Sequence, residues 1–167
     1  MSRQNFKKRE VLAKEPIVDM IGYGTHNQPP GTWSDDSSLT LCLLDSLVQS
    51  RGVNTTNLAE KFVSWLHEGV WTPHGDVFDI GILTTEAILR LEQEPEAPEL
   101  AGGDGEYSNG NGSLMRILPL AYYLKNKPFT ERKETVKKGF VINPPSSDIY
   151  FCMHPIYGIC DSAVRRG

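Results

Sequence analysis

Apolar residues in this chain return every three or four positions, with no convincing strand-like alternation before residue 139, and that period confines the fold to packed helices. Leu39, Leu43 and Leu47, interleaved with Leu41, Leu44 and Val48, predict a first helix over 37–51, with Ser37 or Asp36 as N-cap and Gly52 at the C′ position. Asn57 and Glu60 have the spacing of a capping box ahead of Leu58, Phe62, Trp65 and Leu66, and that helix stops at Gly69. Leu83, Ala87, Ile88 and Leu91 make the inward face of a third helix over 82–92. A fourth is expected over 113–125, kinked or divided by Pro119, and a fifth over 130–138. The acidic, proline- and glycine-containing stretch 92–106 reads as an exposed loop. The predicted class is all-α.

Three glycine-broken turns feed these helices, and chemistry gathers in them. In Gly31-Thr32-Trp33-Ser34-Asp35-Asp36-Ser37 two carboxylates and flanking hydroxyls sit where a helix begins. One aspartate there would be an ordinary cap favoured by the helix dipole. Ser34, Asp35 and Asp36 together exceed that need and offer oxygen donors of the kind hard divalent cations take, so capping and metal binding both stand. In Ser108-Asn109-Gly110-Asn111-Gly112-Ser113-Leu114-Met115-Arg116, alternating glycines and asparagines allow positive φ and converging backbone N–H groups. Such a turn, entering a helix, suits either a phosphate or a plain tight turn with a cap. Between them runs Gly75-Asp76-Val77-Phe78-Asp79-Ile80-Gly81, where Asp79 reads as a cap for the third helix rather than a metal ligand. Gly81 is the better substrate-binding candidate, because no side chain blocks close approach.

Three further groups carry weaker signals. His26 and Asn27 lie in a glycine-containing loop over 22–28 that is either backbone close to a ligand or a simple turn. Met115, Tyr122 and Tyr123 read as core. Arg116 has two readings, a carboxylate beneath the site or a phosphate, and spacing does not choose between them.

The 167 residues suffice for one domain with a sizeable core. A net charge of −4 argues against nonspecific nucleic-acid binding. No apolar run approaches the ~20 residues of a membrane span and no secretory signal pattern is visible, so the reading is a cytoplasmic protein with neither nucleic acid nor membrane as partner. Arg3, Lys7, Lys8 and Arg9 read as a solvated face. Of three cysteines, Cys42 reads as a small buried hydrophobe, whereas Cys152, His154 and Cys160 lack the spacing and fourth ligand of a zinc site.

Taken together and in order, the segments at 33–37, 75–81 and 110–116 resemble those of the ADP-ribosylglycohydrolase family, the relatives of the dinitrogenase reductase-activating glycohydrolase. The likeness covers residues 16–138. It implies an all-α antiparallel helical fold and a binuclear Mg or Mn site in a central cleft. It also implies metal-dependent hydrolysis of the glycosidic bond linking ADP-ribose to a protein side chain or a small acceptor. The expected partner is an ADP-ribosylated protein or a small ADP-ribose conjugate. On that likeness Ser34, Asp35 and Asp36 are expected metal ligands, and Gly81, Ser108, Gly110, Asn111 and Gly112 are expected to bind substrate. No catalytic residue is assigned.

The chain also departs from the family's pattern. It has no Asp-x-Asp-Thr motif, which in the family completes the metal sites, and it lacks the glycine-rich opening helix. After Lys138 the likeness stops, so the expected organisation is a partial helical domain over 1–138 and an unmatched, irregular tail over 139–167, as a truncated or frameshifted coding sequence would give. The alternative function is therefore a noncatalytic chain that binds ADP-ribose weakly or not at all.

Overall fold

The computed structural model describes residues 8–16, 18–19, 22–102, 112 and 114–139. Its elements are α1 (Arg9–Lys14), α2 (Asp35–Ser50), α3 (Thr55–Glu68), α4 (Ile82–Gln93), a 3-10 turn at Pro98–Leu100, α5 (Leu118–Tyr123) and α6 (Phe129–Gly139). No strand occurs among the described residues, as the helical period requires. The tail expected over 139–167 lies, after Gly139, outside them.

Helix α2 is the central element, packed on α3 and α5, and α3 in turn carries α4 and the 3-10 turn. Leu39, Cys42, Leu43 and Leu47 meet Leu58, Ala59, Phe62 and Trp65 of α3, with Ala87, Ile88 and Leu91 of α4 closing the far side. Ile117, Leu120 and Leu124 complete the core around α5. Of the two apolar stripes read on α2, only the first is buried. Leu41 is half-buried, and Leu44 and Val48 are 46% and 68% exposed, because a helix flanked on one side turns only one stripe inward.

Helix ends account for most differences from the sequence reading. Helix α2 begins at Asp35 with Ser34 as cap residue, so neither Ser37 nor Asp36 caps it. Helix α3 begins two residues before Asn57, and its cap is Asn54, whose side chain accepts the Asn57 N–H at 3.0 Å. It ends as expected on left-handed Gly69, whose N–H returns to the Trp65 carbonyl. Pro119 neither kinks nor divides a long helix. It falls in the first turn of the short α5, where its missing N–H costs nothing. Tyr122 and Tyr123 are 71% and 41% exposed rather than core, and the buried residues near them are Leu120 and Leu124.

Candidate functional site

The loop that delivers the chain to α2 is wound tightly. Gly22, Tyr23, Asn27 and Gly31 all have positive φ, and Gly22 lies so close under Pro30 that a Cβ would stand 2.5 Å from its ring. The Tyr23 N–H donates to the Gln28 carbonyl at 2.6 Å, closing this loop upon itself. The chain then enters α2 through Ser34, whose carbonyl accepts both the Ser38 N–H and the Ser38 hydroxyl at 3.1 Å. The Ser34 hydroxyl does not cap the helix and instead hydrogen-bonds the Asp35 carboxyl.

Asp35 is 7% exposed at the first position of α2, while Asp36 faces solvent. Burial pushes the Asp35 carboxyl up to about 6, and the neighbouring charges of Asp36 and Asp79 push the same way. The Asp36 backbone N–H and the Ser34 hydroxyl pull it down only in part. The charges of Asp36 and Asp79 thus add to what burial does at Asp35, a repulsion of the kind that a bound cation relieves.

Asp79 reaches this place from the second turn. Gly69, Trp71, Gly75 and Asp79 all have positive φ, and Thr72 ties the bend together by donating to the Gly69 carbonyl and accepting the Gly75 N–H. Three side-chain contacts fasten this turn to the loop before α2. The Trp33 indole Nε1 donates to the Trp71 carbonyl at 3.1 Å, Thr32 Oγ1 lies 3.2 Å from His74 Nε2, and His26 Nε2 lies 3.1 Å from Asp79 Oδ1. His26 also packs against Phe78, ring centroids 5.6 Å apart. Asp79 is therefore not the cap of α4. Gly81 is the cap residue, and Asp79, two residues earlier in left-handed backbone, is aimed at His26 instead. Gly81 itself is exposed, and a Cβ there would find only Thr84 Oγ1, at 3.9 Å, so its outer side is open.

Of the third turn, Ser108, Gly110 and Asn111 lie outside the described residues. Gly112 is buried, and its carbonyl accepts Arg116 Nη1 at 2.6 Å. Arg116 is 1% exposed, with its guanidinium 5.0 Å from the Phe62 ring centroid. Burial pushes that guanidinium down to about 9. No carboxylate among the described residues meets it, and its Nη2 has no hydrogen-bond partner among them. The Thr40 hydroxyl donates to the Asp36 carbonyl at 2.7 Å and lies 3.5 Å from the Met115 carbonyl, which places the end of the third motif beside the first turns of α2.

The chain matches the family model described as ADP-ribosylglycohydrolase over residues 1–142. It belongs to the ADP-ribosylglycohydrolase family. Over 142 residues it is 30% identical to ADP-ribosylarginine hydrolase Tri1 of Pseudomonas putida (strain GB-1), a match covering 83% of this chain and 37% of that protein. The protein of the same name from Serratia proteamaculans (strain 568) is 33% identical over 136 residues, 81% of this chain and 34% of the relative. The chain thus spans about a third of the length of these curated relatives. A solved structure, an ADP-ribosylglycohydrolase-related protein complex, superposes with a TM-score of 0.58 at 30% identity, over 76% of this chain and 38% of that one.

Within this glycohydrolase-family chain, the oxygen donors at the start of α2 are of the class that hard cations take, but they are few. Among the described residues no group of three or more His, Cys, Asp or Glu side chains stands close enough together to hold a metal ion. Ser34, Asp35 and Asp36 would fill one side of a coordination shell, leaving the remaining positions to water or to ligands from elsewhere. Cys42 takes no part. Burial pushes its thiol up to about 12, and it packs as the small hydrophobe its position suggested.

The contacts that assemble the site are those that sequence reasoning missed. Trp33, Trp71, Thr32 and His74 lie in or beside the motifs, yet nothing in their spacing pairs them. The available signal was composition. Trp33 and Trp71 each carry a large apolar ring with one indole N–H donor into a polar, glycine-broken turn, and a cross-loop acceptor for that N–H is a common outcome.

Proposed function

We propose that this chain serves metal-dependent hydrolysis of the glycosidic bond linking ADP-ribose to an acceptor, with Ser34, Asp35 and Asp36 as its contribution to the cation site. The supporting observation is the buried Asp35 carboxyl at the start of α2, held up to about 6 first by burial and then by the charges of Asp36 and Asp79. A divalent cation held there would supply Lewis acidity and would order water and ribose hydroxyls. The chain's own residues do the rest. The exposed Asp36 carboxylate offers the outer oxygens, and the half-buried Ser34 hydroxyl orients Asp35. Gly81 leaves room for the sugar, and the Ser108, Gly110, Asn111 and Gly112 segment, by its family pattern, would take the diphosphate.

The substrate class is an ADP-ribosylated protein or a small ADP-ribose conjugate. Arginine is the acceptor this reading favours, because the relatives are named for it and because the acidic start of α2 attracts a cationic acceptor. A second reading, binding of ADP-ribose without turnover, has the small donor set in its favour. One assay separates the two. The chain is incubated with ADP-ribosylated arginine peptide and Mg²⁺ or Mn²⁺, and both released and bound ADP-ribose are measured. Cation-dependent release that is lost in Asp35→Ala and Asp36→Ala supports hydrolysis, whereas binding without release supports the second reading.

A further inference from the structure

Asp45 lies ten residues beyond Asp35 on α2, about 15 Å along the helix, and takes no part in the site just described. Its carboxylate has three side-chain partners. Oδ2 accepts Lys61 Nζ of α3 at 2.8 Å and the Trp71 indole Nε1 at 3.3 Å, and Oδ1 accepts Gln49 Nε2 at 2.9 Å. The Lys61 bond, followed by that of Trp71, holds the carboxyl below its ordinary range, so the anion persists at neutral pH.

Trp71 joins this anchor to the site. Its φ of 62° is left-handed, a conformation that a bulky residue keeps only when its surroundings over-determine it. The bond from its indole to Asp45 supplies that constraint, since the side chain is otherwise 42% exposed. The carbonyl of the same residue accepts the Trp33 indole Nε1 at 3.1 Å, and Trp33 directly precedes Ser34, Asp35 and Asp36. Two indoles in series therefore run from Asp45 to the residue before Ser34.

We propose that Asp45 is a positioning residue for the Ser34–Asp35–Asp36 segment, acting through Trp71 and Trp33. Its consequence for cation binding rests on the function proposed above; its mechanical part does not. The plainer account is that Asp45 only clamps α2 to α3 through Lys61, and Lys61→Met isolates that role.

The test follows the three tryptophan indole N–H signals of the full chain by ¹⁵N NMR, with Trp65 in the core as the marker of an intact fold. Asp45→Leu and Trp71→Phe are expected to speed solvent exchange of the Trp33 indole N–H by about tenfold, with Asp45→Asn partly restoring it and Lys61→Met leaving it unchanged. Trp71→Phe keeps the backbone carbonyl that Trp33 uses, so its effect on Trp33 can arise only through the lost indole bond. If Asp45→Leu also loses the Trp65 signal, Trp71→Phe carries the decision. Unchanged Trp33 exchange in Trp71→Phe, or an equal rise in Lys61→Met, overturns the proposal. In parallel, Mn²⁺ affinity measured by water-proton relaxation should fall by about tenfold in Trp71→Phe. Absence of Mn²⁺ binding in the unsubstituted chain would instead contradict the proposed cation site and leave Trp33 exchange to decide the role of Asp45.

Discussion

The Arg116 guanidinium lies 5.0 Å from the centroid of the Phe62 ring, so the third motif is seated on the middle of α3. The ring is a core element in its own right, fully buried among Leu39, Leu58 and Ile88. Phe62→Ala should therefore destabilise the chain by about 3–5 kcal/mol in urea denaturation, from lost burial and the cavity left behind. Arg116→Met should cost clearly less, because it removes a buried charge that no carboxylate among the described residues balances. A larger loss in Arg116→Met than in Phe62→Ala would mean that the Gly112 contact matters more to the fold than the core does.

The helices and the core were legible in the sequence, and the joining of the site was not. Leu39, Leu43 and Leu47 announce a buried stripe because a 3.6-residue period needs only neighbours to be seen. The three motifs were visible for the same reason, each being a contiguous run. His26 and Asp79, or Trp33 and Trp71, meet only because α2 and α3 fold back on each other, and no local rule foretells a partner some forty or fifty residues away. Asp79 shows the cost of local reading. It has the residue type and place of a cap, but positive φ turns it away from α4 toward His26. Tyr122 and Tyr123 mislead in a similar way, since adjacent residues on a helix point in different directions and cannot both face the core.

Two glycines of the second turn should respond very differently to alanine. At Gly69 the added Cβ would overlap the Gly75 carbonyl, and φ is +67°, so Gly69→Ala should cost more than about 2 kcal/mol. Gly75 also has positive φ, +85°, but open space around it, and Gly75→Ala should cost only the backbone term of about 1–2 kcal/mol. Thermal melts of the two variants check the order, and equal effects would contradict the close packing of the turn.

Asp35 should be a liability to the cation-free chain. Its carboxyl titrates near the ordinary 3.8 when unfolded and at about 6 when folded, so the native state holds the proton more tightly. Below the unfolded value both states are protonated and there is no penalty. As pH rises through the folded value the penalty grows to its full size, on the order of 1–3 kcal/mol. Asp35→Asn should consequently raise the melting temperature at pH 7.5 and give little gain at pH 3.5. A loss of stability at pH 7.5 would show that the carboxylate is better compensated than its burial implies.

The central claim is that Ser34, Asp35 and Asp36 hold a divalent cation, and direct titration of the chain with Mn²⁺, followed by electron paramagnetic resonance, tests it. Three protein oxygens leave most of the shell to water, so binding should be weaker than about micromolar and should vanish in both Asp35→Ala and Asp36→Ala. Asp76→Ala, at an exposed position of the second turn, should bind as the unsubstituted chain does. The predicted result is one weak site lost with either aspartate. Binding that survives both substitutions, or no binding by the unsubstituted chain, would contradict the account.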